Sequence, residues 1–154
     1  MSQDEVRHCA AQVQSYLCAD PAMFTTAEYL LEFGGKGGKG DRIFDLLAWD
    51  ARAERLFVVE VTTNKSLPKG LVERVKLDWA RRDALKAALE GKGVKVGRGG
   101  LWWWIFVREQ FLDAFAEALP PEMKPFVRLT GLQRTFFYPD YKDARRIGGE
   151  PSKI

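Results

Sequence analysis

The chain has little of what several common chemistries need. It holds one histidine, His8, and two cysteines, Cys9 and Cys18, in 154 residues. A single histidine leaves a multi-histidine metal centre or a Ser-His-Asp triad without support, and His8 is read as a helix-surface residue. The cysteines lie nine positions apart, wrong for a zinc ligand pair, and are read as reduced, partly buried thiols. Long apolar runs are also missing. The longest, LWWWIFV from Leu101 to Val107, is far too short to span a bilayer, and the polar, acidic start MSQDEV is unlike a signal peptide. The expected setting is the cytoplasm, with no membrane partner. Nor does one sign of charge dominate. With 24 Lys and Arg against 21 Asp and Glu, the net charge of +3 is too mild to imply nucleic-acid binding by itself.

What the chain does have is enough length and apolar content for one domain with a real core. Val6, Cys9, Ala10, Val13 and Leu17 recur at helical spacing and predict a helix over Asp4 to Leu17, ended by Asp20-Pro21. A second helix is expected from Thr25 or Thr26, carrying Ala27, Leu30 and Leu31 inward and stopped by Gly34-Gly35. Arg42 to Trp49 and Arg55 to Thr63 read as consecutive central strands joined by a polar turn. Leu71 to Leu89 reads as one long amphipathic helix. Then come a short strand at Val94 to Val96, a strong strand at Leu101 to Val107 and a helix from Glu109 to Leu119. A hairpin is expected from Phe126 to Leu129 and Arg134 to Tyr138. The order implies a mixed α/β (α+β) single domain over 1–154, a central mixed sheet flanked by helices. Its parts are an N-terminal helix (1–22), a core (23–107), a C-terminal helix and hairpin (108–147) and a loose tail (148–154).

Within this pattern Asp45 and Glu60 stand out. Each interrupts an otherwise apolar strand, IFDLLAW and LFVVEVT. A carboxylate inside a buried strand costs several kcal/mol unless something pairs with it. Strand alternation puts Glu60, Thr62 and Asn64 on one face. If the two strands pair, Asp45 and Glu60 approach on that face and offer hard oxygen ligands to a divalent cation, with a backbone carbonyl such as that of Val61. The structural alternative is that each acid pairs with a core arginine or caps a backbone group.

The blocks D-L-L-A and F-V-V-E-V-T-T-N-K-S, fifteen residues apart between Asp45 and Glu60, resemble the core of the PD-(D/E)XK nuclease superfamily, closest to its small Holliday-junction-resolvase-like members. The likeness covers Thr25 to Val107, with its specific part in Asp41 to Lys65. It implies a restriction-endonuclease-like core in αβββαβ order. It also implies Mg²⁺- or Mn²⁺-dependent hydrolysis of phosphodiester bonds in DNA, with Asp45 and Glu60 as metal ligands and catalytic residues. Glu28 or Glu32, on the preceding segment, would complete the site. The pattern departs at Thr62, which stands where the superfamily's E-x-K lysine would orient water and offset charge. Lys65, or Lys76 on the next helix, is then the replacement cation. The alternative is a catalytically inactive relative that binds nucleic acid or protein. The first core strand is not evident, because GGKGGKG occupies the stretch where it is sought.

Other features bear on partners. Gly35, Gly37 and Gly40 satisfy G-x-G-x-x-G, but a strand follows where a dinucleotide site needs a helix. Lys36 and Lys39 in this loop, with Arg42, Arg81 and Arg82, are the candidates for phosphate contact; the bland alternative is a solvated connector and a salt-bridged helix face. Trp102, Trp103 and Trp104 read as a strand buried on both sides, with an exposed partner-binding edge as the alternative. Phe136, Phe137 and Tyr138 offer a homodimer surface.

Overall fold

A computed structural model describes residues 3–32, 41–135 and 145–146, with side chains of 9–32 and 41–135. The GGKGGKG loop with Lys36 and Lys39, the Phe136 to Tyr138 aromatics, the tail and the His8 side chain lie outside these. A mixed sheet forms the middle layer, with α1 (Gln3–Cys18) on one face and α2 (Lys69–Ala80), α3 (Arg82–Gly91) and α4 (Leu112–Ala118) on the other. Its strands are β1 (Met23–Thr26), β4 (Leu46–Asp50), β5 (Arg55–Val61), β6 (Gly100–Val107), β7 (Val127–Gly131) and the two-residue β8 (Arg145–Arg146), in that spatial order. β1, β4 and β5 are antiparallel neighbours; β5, β6 and β7 are parallel. A separate two-stranded ribbon joins β2 (Tyr29–Leu31) and β3 (Arg42–Phe44). The mixed α/β single domain expected from the sequence is what forms.

Alternation along β5 divides the core. Leu56 and Val58 face the α2–α3 side, whereas Phe57, Val59 and Val61 face α1. β6 follows the same rule: Trp103 packs under Trp79 of α2, while Trp104 packs edge-on with Tyr16 of α1. Both rings are fully buried in a central strand, so Trp103 and Trp104 are core, whereas Trp102 is half-buried at the start of the strand.

Several elements differ from expectation. The helix expected from Thr25 is two strands, β1 and β2. Met23–Thr26 pairs along β4, with Phe24 opposite Trp49, and the edge pairing overrides a weak helical pattern. This segment also supplies the first sheet strand. Arg42 to Trp49 is split by a bend at Asp45 into β3 and β4. The long helix is broken at Arg81, where the Arg82 guanidinium donates to the Trp79 carbonyl at 2.9 Å and lies over its ring. Val94 to Val96 is irregular, although Val96 is core. After β7 the chain forms a 3-10 turn at Leu132–Thr135, so Arg134 and Thr135 of the expected second arm are not strand, and its Phe136 to Tyr138 lie outside the described residues; β7 pairs antiparallel with Arg145–Arg146.

Candidate functional site

The hairpin β4–β5 brings the two acids together. Their ladder begins with Leu46 opposite Val59, so the next pair outward is Asp45 and Glu60. At the bend, Asp45 leaves the ladder and its carboxylate replaces a strand carbonyl: Val61 N–H donates to Asp45 Oδ2 at 2.8 Å. Glu60 lies on the α2–α3 face of β5 and is 2 % exposed. Its Oε1 is 2.5 Å from Arg42 Nη2 as a charge contact, without hydrogen-bond alignment.

Arg42 is the hub. It reaches in from β3 and forks onto Asp78 of α2, with Nε 3.1 Å from Oδ1 and Nη2 2.9 Å from Oδ2. Its Nη1 donates to the Ile43 carbonyl at 2.7 Å. Asp78 is fully buried, and the Trp103 indole N–H points at its Oδ2 from 3.4 Å. Burial alone would pull the Arg42 guanidinium down, but Asp78 and Glu60 outweigh it and hold it above its ordinary value. For Glu60 burial wins. Desolvation pushes its carboxyl up to about 8, opposed by Arg42 and Arg74 and reinforced by the Asp45 charge and a hydrogen bond with Asp45. Asp45, next to Glu60 in the extended register, thus acts on the Glu60 carboxyl.

Both structural alternatives from the sequence are also realised: Glu60 pairs with a core arginine, and Asp45 caps a backbone N–H. Glu60 and Asp78 share the buried Arg42 guanidinium, with Arg81 3.9 Å from Asp78 at its margin and Arg74 also acting on Glu60, while Asp45 is held by Val61 N–H. The carboxyl oxygens of Asp45 and Glu60 are hard donors of the kind that suits a divalent cation once Glu60 gives up its proton. Among the described residues no three His, Cys, Asp or Glu side chains form a ready metal-holding group.

The remaining candidates lie as follows. Glu28 is exposed at the bend between β1 and β2, and Glu32 is exposed beyond β2. Neither they nor Lys65 are among the groups that set the Glu60 environment. Lys65 is exposed past the end of β5. Thr62 is half-buried, its Oγ1 accepting from Asn64 N–H at 3.3 Å. Lys76 pairs with Glu73. Arg81 and Arg82 lie at the α2–α3 break. Arg42, expected at a phosphate, is turned inward and 3 % exposed. Asp78 was not anticipated, although Leu71, Val75 and Asp78 share the buried helical phase that would have placed it inside. No family model matches the chain, and no curated protein or solved structure shows significant similarity to it.

Proposed function

We propose that the Asp45–Glu60 pair is the acidic centre of a Mg²⁺- or Mn²⁺-dependent nuclease acting on phosphodiester bonds in DNA. The observation that carries this reading is that the β4–β5 register sets Asp45 opposite the buried Glu60, at the end of the ladder. The order helix, three antiparallel strands, helix pair, parallel strand (α1, β1–β4–β5, α2–α3, β6) supports it as well. Asp45 and Glu60 would hold the cation, which when bound supplies an activated water and charge stabilisation. Asp45 keeps its carboxylate fixed through Val61 N–H. Arg42 holds Glu60 by Oε1 and neutralises one of the clustered charges. Lys65, exposed beyond β5, is the cation offered to a substrate phosphate in place of the residue Thr62 lacks. Glu28 is the assisting acid, and Lys36, Lys39, Arg81 and Arg82 are the backbone contacts.

A second reading, a nucleic-acid- or protein-binding module without catalysis, is favoured by one observation: Arg42 already pairs with Glu60. A cleavage assay on linear, branched and single-stranded DNA in Mg²⁺ or Mn²⁺ separates the two. The nuclease reading expects cleavage that Asp45→Asn and Glu60→Gln abolish. Folded protein that cuts no substrate in either metal assigns the chain to the binding module.

A further inference from the structure

The sheet face that carries Glu60 is not fully covered. Towards its β1 edge lies an open apolar pocket of about 310 Å³, within the range of small-ligand sites. Phe24, Tyr29 and Trp49 line it with aromatic rings, Leu47 and Leu56 form its floor, and Lys95 is at its mouth. The register explains the grouping: Phe24 on β1 is opposite Trp49 on β4, which is opposite Leu56 on β5. The Lys95 ammonium sits 5.2 Å from the Trp49 ring centre. Among the described residues it has no carboxylate partner. An unneutralised cation at the rim of an aromatic pocket suits a flat apolar ring that carries a negative group. Leu47 is only two residues along the chain from Asp45, roughly 7 Å at strand rise.

We propose that this pocket receives an unpaired nucleobase, stacked against the aromatic wall, with an adjoining phosphate on Lys95. The assignment rests on the reading of the chain as acting on nucleic acid, and it specifies that substrate as single-stranded or locally unpaired. Base stacking on aromatic side chains and phosphate contact by lysine are the two attractions that single strands offer and stacked duplexes withhold.

The test is fluorescence anisotropy of a labelled single-stranded oligonucleotide of about ten nucleotides in EDTA, so that no cleavage is required. Phe24→Ala, at a largely exposed side chain, is expected to weaken binding at least about fivefold. Lys95→Met is expected to lower the slope of log affinity against log salt by about 0.7. Equal affinity of wild type and both variants, or equal affinity for an abasic strand or a blunt duplex, overturns the proposal. A nucleoside monophosphate that competes as strongly as the strand supports the pocket and assigns it to free nucleotides. Binding that persists while no metal-dependent cleavage occurs leaves the pocket standing and removes the nuclease reading alone.

Discussion

Arg42 Nη2 and Glu60 Oε1 are 2.5 Å apart, and neither side chain is more than 3 % exposed. The same guanidinium forks onto the fully buried Asp78, so one arginine holds two core carboxylates from two different elements. Removing it leaves the buried Asp78 charge without its main partner and takes the cation away from Glu60. Arg42→Met is therefore expected to destabilise the protein by about 3–5 kcal/mol, the cost of leaving buried charge uncompensated. The triple variant Arg42→Met, Glu60→Leu, Asp78→Leu should recover most of that loss, since an apolar core of similar volume replaces a buried ion cluster without penalty in many proteins. Urea unfolding measures both. A triple variant less stable than Arg42→Met would mean that the cluster contributes more than charge compensation.

The raised carboxyl of Glu60 makes stability depend on pH with a definite sign. Its folded value is about 8 against an ordinary 4.5. Between these values the folded chain binds the proton more tightly than the unfolded chain does. The contribution is thus full below about 4.5 and is lost as pH rises through about 8. The urea midpoint is expected to fall across this window in wild type and to fall less in Glu60→Gln, which keeps the shape without the titration. A wild-type midpoint that rises with pH, or a slope unchanged in Glu60→Gln, would place the proton elsewhere.

Much of this arrangement was legible in the residues. Continuous apolar character marked β5 and β6, because a central strand buries both faces. The carboxylates of Asp45 and Glu60 were conspicuous for the same reason. β1 was not legible: Met23 to Thr26 is too short to show a period, and only its pairing with β4 fixes it as a strand. Arg42 was misread because it stands next to a basic glycine loop, where a phosphate contact is the natural expectation. Its true partner, Asp78, is 36 positions away, and nothing local in the sequence joins them. Asp78 itself lay on the apolar phase of a helix whose other face is crowded with charge, and the charged face drew the reading.

Gly97 tests how tightly the pocket wall is built. Its φ is +80°, and a Cβ there would lie 2.5 Å from the Trp49 ring and collide with the Glu54 carbonyl oxygen. Neither backbone nor ring can yield cheaply, and a positive φ strains any side chain. Gly97→Ala is expected to cost at least about 1 kcal/mol in urea unfolding. The change should also displace Trp49, so its cost should come with altered oligonucleotide affinity. Wild-type stability in this variant would show that the turn at Gly97 relaxes without moving the wall.

The metal reading carries a proton with it. Glu60 must lose its proton before it can bind a cation, and at neutral pH a carboxyl held up near 8 is mostly protonated. Binding of Mg²⁺ or Mn²⁺ at pH 7 is therefore expected to release close to one proton, and affinity should climb with pH until about 8 and then level. Metal at about a hundred times its dissociation constant should add about 2.7 kcal/mol of stability, or several degrees in melting temperature for a domain of this size. Asp45→Asn is the discriminating variant. Its amide oxygen can still accept from Val61 N–H, so the ladder end stays capped while the charge is gone. It should melt near the wild-type temperature without metal and show no metal-induced shift. Glu60→Gln should likewise lose the shift, together with the proton release. Calorimetry in two buffers of different ionisation enthalpy counts the proton, and thermal melts count the shift. Equal metal stabilisation of wild type and both variants would locate the ion somewhere other than between Asp45 and Glu60.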